Sequence, residues 1–415
     1  MSKRRVVITG LGALTPIGKG ASGFWDGLIA GKSGARTITD FDLTNFPTRF
    51  AARIPDYDAS DHMSPREARR MDRFCQYAMI TAEEALRDSG LETEELDKDR
   101  VAVMVGSGIG GMQSFYNQSV EFHDRGQRAV SPFFIPLVIP DMAAGHISIK
   151  YGFRGPNFCT VSACATGSHN IGLAYDSIVN GHADYAVCGG AEAPVFGLGV
   201  AGFNAVRAMS TRNDSPETAS RPFDKTRDGF VLGEGAGMLI LESLESAISR
   251  GARIYAEMAG YGFSADAYHM TAPDPEGHGV ILAMNSALRS AGIRPEDVTH
   301  INMHGTSTPL GDVAETRSIK KVFGDHAYSM NLNSTKSMTG HMLGAAGAVE
   351  SIATAMAIYH GIVPPTINYQ YPDPDCDLNY TTNEPVGRNI RYALNNAFGF
   401  GGHNTSLVLK KFEEQ

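Results

Sequence analysis

Short apolar runs of strand character alternate with longer stretches of helical spacing from Val6 to Lys410, and that alternation confines the chain to the α/β class. The strand-like runs are Val6–Thr9, Val101–Val105, Tyr185–Cys188, Gly237–Leu241, His300–Met303, Leu332–Ser334, Arg391–Asn395 and Ser406–Lys410. Between them, Gln76–Ser89, Ala163–Asn180, Pro275–Ala291 and Gly347–His360 carry small and apolar residues at helical spacing. Strand and helix in turn predict mostly parallel strands. At 415 residues the chain is long for one simple core, which favours two structural halves. Each half ends in a strand and a Gly-rich turn, Gly189-Gly190 and Gly399-Phe400-Gly401-Gly402, which hints at a duplication. Met209–Asp228 and Gly361–Asn383 are rich in turn formers and read as loops.

Composition excludes several function classes. Hydrophobic residues make up 42%, charged residues 20% and aromatics 9%, as in an ordered globular protein. A net charge of −9 speaks against a broad nucleic-acid footprint. The cysteines are Cys75, Cys159, Cys164, Cys188 and Cys376; the count is odd and no pair has CxxC spacing. A disulfide framework is therefore not expected, and a reducing compartment, the cytoplasm, is. The basic start and apolar Val6–Ile8 could open a signal peptide, but Gly10, Gly12 and Pro16 break the run at once, so it reads as a first strand entering a turn. No stretch approaches the roughly 18 uninterrupted apolar residues of a membrane span.

Four small-residue motifs carry candidate chemistry. In Thr160-Val161-Ser162-Ala163-Cys164-Ala165-Thr166-Gly167, Cys164 falls where a helix starts. Unsatisfied N–H groups and the helix dipole there favour a thiolate. The competing reading is a small buried hydrophobe, the role assigned to the other four cysteines. His304 ends a strand-like run and opens the loop Gly305-Thr306-Ser307-Thr308, as suits a cleft; the alternative is a structural histidine. His300 and His304 are spaced like helical metal ligands, but a strand and loop do not put them on one face. Lys336 and His341 flank a turn before an Ala-rich helix, and a nearby Lys disfavours protonation of the His. Backbone N–H groups in Asn395-Asn396-Ala397-Phe398-Gly399-Phe400-Gly401-Gly402 are placed to form an oxyanion hole, or simply a hairpin turn. Against these, Gly106-Ser107-Gly108-Ile109-Gly110-Gly111 fits the dinucleotide-binding pattern, but the acidic residue that pattern needs about twenty residues on is missing.

Together these motifs, in this order and joined by Arg221-Pro222-Phe223-Asp224 and Gly229-Phe230-Val231-Leu232-Gly233-Glu234-Gly235, closely resemble the elongating β-ketoacyl-acyl-carrier-protein synthases. The resemblance covers nearly the whole chain. It implies the thiolase-like fold, a duplicated αβαβα five-layer sandwich, with residues 1–258 carrying the nucleophile and 259–415 the two histidines, and usually a homodimer. It implies that Cys164 takes an acyl chain from its carrier and that His304 and His341 hold the malonyl thioester as carbon dioxide leaves. Lys336 would tune His341, and the N–H groups of Cys164 and Phe400 would form the oxyanion hole, with Phe400 also a gate. Thr306 and Thr308 match residues that bond the pantetheine arm. Ile109, Phe134 and Phe203 match the acyl-pocket lining, with Phe203 across the dimer or nearby.

No cofactor is required in the family. Some members hold a structural monovalent cation, at positions matching Asn302, Glu350, Asn395 and Asn396; Glu350 would otherwise pair with Lys336. The partner implied is an acidic acyl carrier protein, in acyl and malonyl forms. Arg66, Arg69, Arg70 and Arg73 at helical spacing, with Arg125, Arg128 and Arg207, form a local basic cluster that would dock it, although Glu67 and Asp72 dilute the charge. His403 departs from the smaller polar residue of many relatives. The expected activity is decarboxylative condensation in fatty-acid elongation. The alternatives are a ketosynthase of aromatic polyketide assembly, which Ser210–Pro222 also resembles, and a non-catalytic chain-length partner, which would lack the nucleophile. A degradative thiolase is disfavoured, because a second cysteine would stand in place of one histidine.

Overall fold

The computed structural model describes residues 4–91 and 93–413. Its strands are β1 Val6–Thr15, β2 Val101–Gly106, β3 Tyr185–Glu192, β4 Gly235–Ser243, β5 Ala256–Ala265, β6 Val298–Asn302, β7 Asn331–Asn333, β8 Tyr392–Gly399 and β9 His403–Lys410. With the short Gly18–Lys19, which pairs with β1, they form one ten-stranded sheet in the order β7-β6-β8-β9-β5-β1-β4-β3-β2. The main helices are α1 Arg73–Ser89, α2 Met142–Tyr151, α3 Thr166–Val179, α4 His278–Ala291, α5 Pro309–Phe323 and α6 Ala346–His360.

The sheet is symmetric about the antiparallel contact of β1 with β5, where Val6 faces Met258. Outward from it, β4-β3-β2 on one side mirrors β9-β8-β6 on the other. The alternation of side chains explains the layers. In β4, Leu239 and Leu241 join a core shared with Ile171 and Ile178 of α3 and Val349 and Ile352 of α6. Met238 and Ile240, on the other face, meet Phe74 and Ala82 of α1 and Ala143 of α2. In the second half, Val408 of β9 and Leu394 of β8 pack on Met284 of α4 and Ile319 of α5. Helices α3 and α6 thus lie between the two halves of the sheet, with α1/α2 and α4/α5 outside: the thiolase-like five-layer sandwich. Close approach of the inner helices needs small residues, since a Cβ at Gly347 would lie 2.1 Å from Ser168 Oγ.

Three expectations are corrected. Parallel pairing is limited to β7/β6, β6/β8 and β2/β3, and the other main pairings are antiparallel, so the sheet is mixed rather than mostly parallel. Gly189-Gly190 is no turn: β3 runs through it to Glu192, and the missing Cβ of Gly190 lets Gly344 O approach. Strand β5 was hidden by Gly260 and Gly262, whose bare backbone admits α4; a Cβ at Gly262 would lie 2.0 Å from Ala283 O. The expected division at 258/259 falls inside this strand.

The halves also share a turn. Ala163, at φ 49°, opens a 3₁₀ turn through Cys164 into α3, and Leu343, at φ 46°, opens one through Gly344 into α6. A positive φ at residues with a Cβ is strained and marks both turns as held by their surroundings.

Candidate active site

Four chain segments converge on one cavity of about 400 Å³, lined among others by Cys164, His304, His341, Thr306, Thr308 and Phe400. Cys164 comes from the strained turn before α3 and is buried. His304 follows β6, and its loop is pinned by Glu315 of α5, whose carboxylate accepts the N–H of His304 at 2.9 Å and of Gly305 at 2.8 Å. His341 follows the short helix Lys336–Thr339 and is held by its backbone: its N–H donates to Val231 O at 2.7 Å and its carbonyl accepts from Gly233 at 2.9 Å. Phe400 lies at the tip of the β8–β9 hairpin, where Gly399 packs so tightly that a Cβ would sit 2.6 Å from Ser162 O.

His341 Nε2 lies 3.0 Å from Cys164 Sγ. The rings of His304 and His341 are 5.3 Å apart and nearly perpendicular. Both imidazoles are held well below the usual histidine range, first by burial and then by Lys336, so both are neutral. His304 opens onto the cavity and is otherwise enclosed. Lys336 is buried, not a solvated surface charge, and pairs with Glu350. Burial pushes the Cys164 thiol up to about 12, although Lys336 and the N–H groups of Phe400 and Cys164 pull the other way. Burial thus works against the thiolate that the helix start is expected to favour.

Other expected residues are placed as follows. The hydroxyls of Thr306 and Thr308 are 3.0 Å apart at the cavity wall. Ile109 and Phe203 belong to the apolar cluster that includes Cys164 and Leu343. Phe134 does not line the cavity; its ring lies 6.0 Å from Phe115 on a separate helical hairpin. Arg207 is exposed at the cavity mouth. Arg66, Arg69 and Arg70 are exposed, but they do not share a helix with Arg73: the helix Pro65–Ala68 stops, and Asp72 caps α1 afresh. Arg73 lies over the Tyr57 ring, at 6.0 Å.

Of the expected cation ligands, Asn302 Oδ1, Glu350 Oε2, Asn395 Oδ1 and Asn396 Oδ1 are buried and lack hydrogen-bond partners, as suits a hard cation. Asn396, however, leaves β8 on the face opposite Asn395. Asn395 bonds Gly347 O and Ser351 Oγ, whereas Asn396 reaches Glu315.

Two buried carboxylates were missed in the sequence. Glu315 is one. Glu192, at the end of β3, accepts from Ser107 Oγ and from the N–H groups of Gly108 (2.8 Å), Ile109 (3.3 Å) and Gly344 (2.9 Å). The donors of the dinucleotide-like loop are thus used internally, which accounts for the motif without a nucleotide. The signal available for Glu192 was an acid in an otherwise apolar strand.

A cysteine and two neutral histidines at one cavity of a thiolase-like sandwich define a condensing-enzyme class. The chain belongs to the β-ketoacyl synthase family, whose N-terminal domain matches residues 3–247 and whose C-terminal domain matches residues 255–370. It is 50% identical to a 3-oxoacyl-[acyl-carrier-protein] synthase 2 of Synechocystis sp. over 100% of this chain and 99% of the relative. It is 53% identical to the synthase 2 of Coxiella burnetii over 99% of each chain. Among solved structures, a type II polyketide ketosynthase in complex with its acyl-carrier protein superimposes with a TM-score of 0.92, at 35% identity, covering 99% of this chain and 100% of that one. Among the described residues, no helix is long and apolar enough to cross a membrane.

Proposed function

We propose that this protein condenses an acyl thioester with malonyl-acyl-carrier-protein to give a 3-oxoacyl-acyl-carrier-protein in fatty-acid elongation. The carrying observation is the approach of His341 Nε2 to Cys164 Sγ at 3.0 Å, with His304 facing the same cavity. Cys164 sulfur attacks the acyl carbonyl, the pantetheine thiol leaves with the proton, and an acyl-enzyme results. Malonyl thioester then binds with its carbonyl oxygen toward His304 and His341. As its carboxylate departs as carbon dioxide, the electron pair enters that carbonyl, and the two neutral imidazoles donate to the enolate oxygen. The carbanion attacks the acyl carbonyl, whose developing charge faces the N–H groups of Cys164 and Phe400. The carbon–carbon bond forms, Cys164 sulfur leaves as a thiolate, and a proton taken up from solvent restores the resting thiol.

Identity near 50% to synthase 2 enzymes, against 35% to the polyketide ketosynthase, favours fatty-acid elongation over polyketide assembly. The carrier would dock on Arg207 and the Arg66–Arg70 surface and reach Cys164 along Thr306 and Thr308. A monovalent cation would be held by Asn302, Glu350 and Asn395, each with a buried oxygen that lacks another partner, and would supply positive charge there. The working form is a homodimer in the cytoplasm. Phe115, Tyr116, Phe122 and Ile135 form an exposed apolar surface that a second copy would cover.

Intact mass after incubation with an acyl-carrier thioester tests the reading. Wild type gains one acyl mass and Cys164→Ala gains none; a gain by both, or by neither, overturns it.

A further inference from the structure

Glu192 is a carboxyl group with no cationic partner among the described residues, buried to 1% exposure between segments of the site, and burial raises it to about 7. One oxygen accepts from Ser107 and Ile109, and the other from Gly108 and Gly344. The segments touch through it: a Cβ at Gly344 would lie 2.4 Å from Gly108 N, and one at Gly108 would lie 2.9 Å from Ala163 O. Ser107–Gly110 carries Ile109, Gly344 follows Leu343, and Ala163 precedes Cys164. Ile109, Leu343 and Cys164 in turn belong to one apolar cluster. The carboxylate is therefore a clasp behind the wall against which an acyl chain on Cys164 would lie.

We propose that Glu192 is a positioning residue that sets acyl-chain selectivity by clasping the Ile109 loop to the Leu343–Gly344 turn. It touches no substrate atom. Without the clasp the Ile109 loop is free to shift, the wall yields, and longer chains are accommodated. Decarboxylation, which rests on His304 and His341, does not depend on the wall. This inference rests on the condensing reading above.

The test uses Glu192→Gln in the full chain. Its amide nitrogen cannot accept, so either the Ile109 N–H or the Gly108 and Gly344 N–H groups lose their acceptor, while the Ser107 hydroxyl can turn to accept from the amide. Acylation of Cys164 is measured with a short and a long saturated acyl-carrier thioester, and decarboxylation of malonyl-carrier is measured alone. The expected result is a change of about tenfold in the long-to-short ratio of kcat/KM, with decarboxylation unchanged. Combined with Ile109→Ala, the second change adds little, because both act on one wall. Ser107→Ala, which removes a single donor, moves the ratio the same way by less and keeps the proposal testable if Glu192→Gln does not fold. An unchanged ratio in the folded variant, or full additivity with Ile109→Ala, overturns the clasp. Failure of wild type to acylate or decarboxylate overturns the condensing reading instead, and this inference with it.

Discussion

His341 Nε2 stands 3.0 Å from the Sγ of Cys164, yet the pair rests as thiol and neutral imidazole. Burial is the first cause in both groups, acting in opposite directions: it raises the thiol and lowers the imidazole. Separating charge in so dry a turn costs more than the contact returns.

Reactivity toward a small alkylating agent reports this state. With the thiol pushed up to about 12, the thiolate fraction near pH 8 is on the order of one in ten thousand. Iodoacetamide modification of Cys164, followed by intact mass against Cys164→Ala, should accelerate steadily with pH through 9 without levelling. A plateau below pH 8 would contradict the resting thiol.

Lys336 and Glu350 form a pair 1% and 2% exposed. Lys336→Met leaves the carboxylate buried alone, and unfolding free energy should fall by ~3 kcal/mol in urea titrations. Burial already raises the Glu350 carboxyl from 4.5 to about 7, and Lys336 holds it down; removing the lysine raises it further. A raised folded-state value means stability is fully present below the unfolded value and lost as pH rises. Wild type shares that loss up to about pH 7, where its own carboxyl ionises, so the deficit should stay level from pH 5 to pH 7 and grow above pH 7, and adding Glu350→Gln should remove that pH dependence.

Gly399→Ala tests the proposed oxyanion arrangement without changing any side chain of the candidate site. The added methyl would meet Ser162 O at 2.6 Å and Cys164 N at 3.2 Å, so the Phe400 hairpin must move away from the nucleophile turn. Turnover should fall on the order of a hundredfold with the fold retained, as for loss of one oxyanion donor. Wild-type turnover would show that the Phe400 N–H is not needed.

Much of the candidate site was legible because the groups proposed to react sit in local runs of small residues. Cys164, His304, His341 and Phe400 each follow a strand end or precede a helix, where chain chemistry speaks within ten residues. What was not legible depends on distant contacts. Glu192 meets Ser107 across 85 residues of sequence, and only folding reveals that the Gly-rich loop is occupied by a carboxylate. Strand β5 went unread because the helix its glycines admit is not visible in its own sequence. The burial of the thiol was hidden for a similar reason: the helix start is local, but desolvation comes from the whole surrounding core. Helical spacing of Arg66, Arg69, Arg70 and Arg73 likewise concealed the stop at Ala68 and the fresh cap at Asp72.

Arg207 offers a test of carrier docking with little effect on the fold. It is exposed at the cavity mouth and holds φ 57°, a left-handed conformation that asparagine tolerates well. Arg207→Asn therefore removes the charge and keeps the turn. An exposed charge of this kind contributes ~1 kcal/mol or less, so KM for the acyl-carrier thioester should rise up to about fivefold with kcat unchanged. Replacing Arg66, Arg69 and Arg70 together by Asn should add to the effect. Moderate salt should weaken wild type more than the variants, since screening acts on the charges they lack. An acyl-pantetheine substrate, which carries no acidic protein, should be used equally by all forms. An equal loss with that small substrate would place these arginines in the chemistry or the fold and not on the docking surface.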